Sequence, residues 1–245
     1  MFEHKLNENV TFRTYIDWLI LSFLAGTINA GGYLACHRFV SHITGFATLS
    51  GISLSNESWL EFFGTMAIPL FFLAGVMLSG YLIEKKYAKK TQNQKYAPVM
   101  GIVALLLAIV TVGGFLNWFG QFGDPAQINH NFILLACLCG ACGLQNAAIT
   151  SSSGSTIRTT HLTGLTTDLG LGLVRLKVHE MTTEQRKLEK QTNFLRFATI
   201  ISFTVGSFIG AVFLKKYLYL GFLFPLVISI YLAFAARKNI AAAKS

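Results

Sequence analysis

Histidines and threonines recur in one short pattern at two places in the chain. The pattern is His-x-Thr-Gly-x-x-Thr, and it occurs from His42 to Thr48 and again from His161 to Thr167. Imidazole and hydroxyl groups can exchange hydrogen bonds or protons with a bound solute, and the same groups serve in acid–base catalysis. Only the second copy is followed by a carboxylate, Asp168. These residues are therefore the first candidates for a functional site.

Other polar side chains accompany both copies of the pattern. An asparagine lies upstream of each, and an arginine precedes each, although the two arginines stand at different distances from the glycines of the pattern. Cationic groups together with the amide-rich start of a helix suit an anion. We expect Ser41 or Thr44 to cap the first short helix and Thr160 or Thr163 to cap the second. The candidate solute-contacting residues are Asn29, Arg38, His42, Thr44, Thr48, Asn146, Arg158, His161, Thr163, Thr167 and Asp168.

The elements that carry these residues have the composition of a membrane protein. Of the 245 residues 53% are hydrophobic and 13% are charged, and the mean hydropathy is +0.52. A membrane-spanning helix needs about 20 apolar residues. Two shorter apolar stretches, 41–54 and 161–174, hold the repeated pattern and predict broken or re-entrant segments. The stretches long enough to span are Tyr15–Cys36, Phe62–Ile83, Ala97–Trp118, Phe132–Thr150, Phe197–Leu214 and Tyr217–Ala236.

The basic residues predict the orientation of these six spans. Lysine and arginine favour cytoplasmic loops, and they concentrate in 84–96, in 151–196 and near the C-terminus, whereas 119–131 has none. Both termini are therefore expected in the cytoplasm, with Arg38, Lys215 and Lys216 on the unfavoured side. Because the basic residues border apolar stretches, the net charge of +9 indicates membrane topology rather than nucleic-acid binding.

An internal repeat relates the two halves of the chain, 1–118 and 119–245. Residues 22–30 align with 139–147, and 41–51 align with 160–170, with identity at eight of these twenty positions. Each half holds three predicted spans, and an odd number of spans makes the second half enter the membrane from the opposite side. Inverted repeats with broken helices are typical of transporters, whose site lies near the midplane. We expect the two polar breaks to meet there.

The residues around both breaks resemble those of the YoaK family of bacterial integral membrane proteins, a domain of unknown function. The resemblance is carried by the motif 41–45 in the first half and by 145–147, 158–160, 163–164 and 167–170 in the second, and it covers nearly the whole chain. It implies a multi-pass protein of the bacterial cytoplasmic membrane. Members usually have an acidic residue where this chain has Asn29, and an asparagine where it has Phe46 and Leu165.

A transporter or channel for a small polar or anionic solute is the favoured function. A noncatalytic assembly or lipid-interacting protein and an intramembrane enzyme are the alternatives; no enzyme is expected, because the sequence lacks an HExxH motif and paired catalytic carboxylates. No cofactor or metal is expected, since the four cysteines lie in predicted spans without a histidine. A homo-oligomer is left open. Asp168 is either a proton-coupling carboxylate or a partner for Arg158 or His161, and we favour the pairing. We expect residues 177–193 to form a short cytoplasmic or interfacial helix with a capping box from Thr182 to Gln185.

Overall fold

The computed structural model describes residues 12–86, 92–124, 132–155, 157–178 and 180–238, and these residues form an all-α protein. The two chain termini, and Lys89 and Lys90 of the lysine-rich tract, lie outside the described residues. A π-helical turn, Tyr81–Lys86, extends α3, and a 3₁₀ turn, Leu218–Phe222, separates α7 from α8. The helices are α1 Phe12–Cys36, α2 Ile43–Ser55, α3 Trp59–Gly80, α4 Gln92–Phe115, α5 Phe132–Ser152, α6 Leu162–Val178, α7 Thr183–Tyr217 and α8 Leu223–Lys238.

The long helices have the length and apolar surface of membrane helices. Five stretches of the described chain qualify as candidate spans, and the last of them, Thr183–Ala236, covers α7 and most of α8. Large apolar side chains are exposed on their surfaces, among them Phe63 at 65%, Phe194 at 70% and Phe208 at 70%. Such a surface is unfavourable in water and suits lipid. The expectation of a helical membrane protein is therefore confirmed.

Helices α1 and α5 form the centre of the bundle and run antiparallel. The indole Nε1 of Trp18 donates to Ser152 Oγ at 3.1 Å, and Gln145 Nε2 donates to the carbonyl of Leu21 at 2.6 Å. From the first contact to the second, the residue number rises along α1 and falls along α5, so the two helices run in opposite directions. The end of the bundle that contains Trp18 and Ser152 is called here the Trp18 end.

Each central helix packs mainly on a helix from the other half of the chain: α1 on α7, and α5 on α3. Helix α1 is parallel to α7, since Ser202 Oγ donates to the Leu19 carbonyl at 2.7 Å and Gly210 lies against Thr27 further along both helices. Helix α5 is likewise parallel to α3, because Glu84 accepts from Ser151 at 3.4 Å near the C-terminal end of both.

Glycines permit these two close crossings. A Cβ at Gly26 would overlap the carbonyl of Phe203, and a Cβ at Gly206 would overlap the carbonyl of Phe23. Small residues let membrane helices approach until their backbones touch. The crossing of α3 and α5 repeats this arrangement, with Gly143 against the carbonyl of Phe72 and Gly75 against the carbonyl of Gly140.

Helix α7 ends in a reversal that brings α8 beside α4. Leu218 adopts φ +53° and ψ −131°, a backbone conformation that is uncommon for a residue other than glycine and that interrupts the helix. Gly221 follows against the backbone of Leu214, where a Cβ would lie 2.8 Å from the Leu214 Cα. Tyr219 packs against Gly114 near the C-terminal end of α4, and α8 then runs along α4. The end of the bundle that contains Tyr219 is called the Tyr219 end.

The two short apolar stretches form helices α2 and α6, which pack on α3 and α7 respectively. Helix α7 begins at Thr183, much earlier than the predicted span at Phe197. The reason is that no glycine or proline interrupts 183–205, so the expected separate cytoplasmic helix is the first part of α7. The capping box between Thr182 and Gln185 is confirmed.

Candidate functional site

The first polar break is a turn in which the chain folds back along α1. Val40 packs against Gly32, where a Cβ would lie 2.5 Å from Val40 Cγ1. The side-chain oxygen of Asn29 accepts two hydrogen bonds from Ser41, one from its backbone N–H at 3.3 Å and one from its hydroxyl at 2.9 Å. Since Asn29 lies about two helical turns before Cys36, helix α2 begins about 10 Å from the end of α1, measured along that helix.

The second polar break folds back along α5 in the same way. Its first residues close a short turn, in which Ile157 N–H donates to Ser153 Oγ at 3.0 Å. The side-chain oxygen of Asn146 then accepts from the hydroxyl of Thr159 and from the backbone N–H of Thr160, both at 3.4 Å. Asn146 is the repeat partner of Asn29, and Thr160 is the repeat partner of Ser41. One asparagine clamp thus holds the start of each short helix.

The two clamps approach the middle of the bundle from opposite ends. The Asn146 clamp lies beside Gln145, which contacts Leu21 of α1. Asn29 follows Leu21 by eight residues of α1, which separates the clamps by about 12 Å along this helix. In the described part of the chain, no hydrogen bond or ion pair joins one break to the other. A single site formed where the breaks meet therefore stays a prediction.

The two histidines of the repeated pattern occupy equivalent places at the helix starts. The carbonyl of His42 accepts from Phe46 N–H at 3.3 Å, and the carbonyl of His161 accepts from Leu165 N–H at 3.1 Å. Both imidazoles are exposed. The ring of His42 lies over Gly45, within 2.6 Å of where a Cβ would stand. The first turn of each short helix therefore has a histidine at its edge.

Side-chain capping of the first short helix by Ser41 or Thr44 was a wrong expectation. The residue that precedes α2 is His42, and its side chain makes no capping hydrogen bond. The Ser41 hydroxyl is instead used by Asn29. In the second half, the Thr160 hydroxyl is buried without a partner. The first backbone N–H groups of a helix have no partner within the helix, so the start of α2 offers unpaired donors.

The threonines of the pattern share one face of each short helix, as the spacing predicts. Thr48 donates to the carbonyl of Thr44 at 3.2 Å, and Thr167 donates to the carbonyl of Thr163 at 3.0 Å. All four side chains are exposed on the surface of the chain. Helix α2 packs on α3 and α6 packs on α7, so the two threonine faces are carried by different pairs of helices.

The charged candidates do not pair as expected. The Asp168 side chain is exposed and forms no ion pair with Arg158 or His161 among the described residues. Its backbone carbonyl instead accepts from Arg196 of α7 at 3.2 Å. Arg38 is half-buried and Arg158 is exposed. The first break also carries aromatic rings without counterparts in the second: Tyr33 stacks on Phe39 at 4.6 Å, and Phe39 meets His42 edge-on at 6.2 Å.

A surface cleft lies elsewhere, at the Tyr219 end of the bundle. It has a volume of 480 Å³, and Asn117, Gln121 and Tyr219 are among its lining residues. None of the candidate residues lines it. Among the described residues there is also no group of three or more histidine, cysteine, aspartate or glutamate side chains that could hold a metal ion. The repeated turns are therefore the strongest candidate for a functional site.

Sequence reasoning missed one polar cluster, which lies where α6 packs on α7. Glu189, Asn193 and Arg196 follow one another at helical spacing on α7 and are largely buried. The spacing of four and three residues was the available signal, but it fell in a segment whose charge predicts exposure to water. The cluster shows that this segment is packed against α6.

Comparison with known families matches residues 18–235 to a family described as a protein of unknown function, DUF1275. The chain belongs to the DUF1275 family. YoaK is a member of DUF1275, so the resemblance found at the two breaks is confirmed. No curated protein and no solved structure matches the chain. The DUF1275 match spans both clamps and both short helices, and its description supplies no activity.

Proposed function

We propose that this DUF1275 protein is an inverted duplication with six membrane-spanning helices. The antiparallel course of α1 and α5 supports the inversion, because these helices hold equivalent positions in the two halves. The packing of α1 on α7 and of α5 on α3 supports it further. In the duplication α1 corresponds to α5 and α3 to α7, so one two-fold rotation would convert either contact into the other. The Leu218 reversal supports two crossings within Thr183–Ala236.

The proposed orientation places the Trp18 end in the cytoplasm of a bacterium, with both chain termini on that side of the cytoplasmic membrane. Arg175, Lys177 and Arg186 lie where α6 ends and α7 begins, which agrees with the preference of basic residues for the cytoplasmic side. Lys215 and Lys216 lie at the opposite end. Lys216 Nζ stands 5.2 Å from the centre of the Tyr217 ring, a cation–π contact that partly offsets its unfavoured position.

The proposed function is transport of a small polar or anionic solute, through a channel or by a carrier. The observation that supports it most is the pair of asparagine clamps, each of which ties the start of a short helix to a long helix at a level between the two ends of the bundle. Non-helical backbone at this depth is stable only if protein covers it or if it lines a watery cavity. The unpaired amide groups of a helix start, with His42 or His161 at its edge, would replace part of the hydration shell of an anion.

This proposal makes the protein a non-enzyme whose partners are the lipid bilayer and the solute, and it leaves room for a homo-oligomer. An oligomer would cover polar groups that the single chain leaves exposed, because the threonines of α2 and α6 lie on its surface at membrane depth. Threonine hydroxyls often contact another helix in membranes. A noncatalytic assembly protein, the competing proposal, would use the same faces for protein contacts alone.

Proteoliposomes test transport directly. Stopped-flow light scattering would follow the entry of formate, nitrate, urea and glycerol into vesicles with and without the protein. We expect faster entry of at least one of these solutes, and a lower rate in His42→Ala and in His161→Ala. Ser55→Ala is the matched control, since Ser55 is exposed at the far end of α2. Unchanged entry rates in both histidine variants would exclude the proposed site, and no entry of any solute would favour assembly.

A further inference from the structure

The contact between α6 and α7 contains a buried charged cluster at one level. Arg196 Nη1 lies 3.6 Å from Glu189 Oε1 and donates to Asn193 Oδ1 at 2.9 Å. Arg175 of α6 reaches the same glutamate oxygen at 3.8 Å. Arg196 is 7% exposed and Asn193 is 4% exposed. One guanidinium, one carboxylate and one amide are thus enclosed between two helices, and Arg175, with a side chain that is 43% exposed, lies at their edge.

The cluster contacts the backbone of α6 as well as one of its side chains. Arg196 Nη1 donates to the carbonyl of Asp168 at 3.2 Å, in the middle of the short helix. One turn later, Gly172 leaves the space that Asn193 and Glu189 occupy, since a Cβ there would overlap both side chains. A hydrogen bond to a backbone carbonyl fixes the height and the rotation of the helix that carries it. Thr167 precedes Asp168, so its placement depends on this bond.

Stability alone does not account for such a cluster. Arg196 Nε, Asn193 Nδ2 and Glu189 Oε1 are buried without a hydrogen-bond partner, and well-packed apolar residues in place of a buried ion pair are often as stable or more stable. The best-attested benefit of buried polar groups is that they specify one arrangement among several. An arrangement-specifying role therefore fits the unsatisfied atoms better than a stabilising one.

The first half holds its short helix without charges. The glycine contacts pair Gly75 with Gly206 and Phe72 with Phe203, which places Thr65 of α3 where α7 has Arg196. Thr65 is buried, and the repeat aligns Leu49 with Asp168. Attachment of a short helix to a long one therefore does not require the cluster. Of the two short helices as the structure describes them, α6 alone is held by a buried guanidinium.

We infer that Arg196 is a positioning residue, which sets the height and rotation of α6 and thereby the places of Thr163 and Thr167. That this placement matters for a solute rests on the proposed function; the placement itself does not. The guanidinium is suited to this task because its planar fork donates in fixed directions to Asp168 and Asn193 at once. A lysine has the charge but not the fork.

Cysteine labelling at Thr167 tests the inference in the full-length protein. Thr167→Cys is exposed for reaction with a small membrane-impermeant thiosulfonate, whereas the four native cysteines are buried. We expect Arg196→Gln and Arg196→Met to change the labelling rate severalfold and Arg196→Lys to change it less. Lys190→Gln, an exposed change on α7, should leave it unaltered. A Thr48→Cys reporter in the first half should not respond to any Arg196 variant.

Arg196→Met retains the apolar stem of the side chain and removes the buried charge, while Arg175 stays beside Glu189. The melting temperature of each variant separates a loss of folding from a change in position. A variant whose melting temperature is kept while labelling at Thr167→Cys shifts supports positioning. Equal labelling rates in the parent, Arg196→Gln and Arg196→Met would overturn the inference. Because labelling requires no solute, an absence of formate or nitrate entry would remove the proposed transport while leaving this result interpretable.

Discussion

Replacement of Asn29 by leucine removes the acceptor of the first clamp while preserving the size of the side chain. The Ser41 N–H and hydroxyl, at 3.3 and 2.9 Å from Asn29 Oδ1, would each lose a partner. Two hydrogen bonds contribute about 0.5–1.5 kcal/mol each, and a donor left unpaired at depth adds to the loss, so the total is about 2–4 kcal/mol. For a chain of this size, that lowers the melting temperature by about 4–16 °C.

The matched variant is Asn29→Asp, which retains an oxygen in the position that accepts both bonds. We expect it to keep most of the stability that Asn29→Leu loses. The assay is thermal unfolding of the purified protein in detergent, followed by tryptophan fluorescence. Asn146→Leu and Asn146→Asp should behave as the same pair, with a smaller difference because both bonds to Asn146 are 3.4 Å long. Equal melting temperatures for Asn29→Leu and the parent would refute the clamp.

Two further predictions concern helix packing. Gly206→Ala and Gly75→Ala each place a methyl group against a backbone carbonyl and should lower the free energy of unfolding by about 1–3 kcal/mol. The control Gly101→Ala has open space at its Cβ and should be neutral or stabilising. Melting curves in detergent would show the contrast, and equal melting temperatures of all three variants would contradict the described crossings. Trp18→Phe should lower the free energy of unfolding by about 1 kcal/mol through loss of the hydrogen bond to Ser152, and Ser152→Ala should lower it by a similar amount. The double variant should lose less than the sum of the two. Additive losses would indicate that this bond contributes nothing to stability.

The sequence predicts the repeat and its polar breaks because identical residues recur in the same order. It also singles out Asn29 and Asn146 as a pair. It does not reveal their role as clamps, because each contacts residues twelve to fourteen positions later, and that contact exists only once the chain folds back along its own helix. A turn of this kind has no short-range periodicity from which it could be read.

The glycine crossings and the Arg196 cluster are harder to predict for different reasons. Phe72 and Gly75 match Phe203 and Gly206, but at a different spacing from the rest of the repeat, so a fixed alignment offset misses them. In 177–193, high charge predicts contact with water, yet Asn193 is buried because Gly172 of α6 admits it. Burial there is decided by a neighbouring helix rather than by the local composition.

The exchanged packing of α1 on α7 and α5 on α3 has a consequence for biosynthesis. Helix α1 leaves the ribosome before its main partner α7, and helices α2 to α6 lie between them in the chain. Until α7 is made, the glycine face of α1 must therefore be covered by lipid or by an insertion factor. If the chain arose by the proposed duplication, an ancestor of half this length would have formed the same helix contacts only between two copies inserted in opposite directions. Fusion of the two copies into one chain would then have supplied each helix with the partner that separate chains had to find by diffusion.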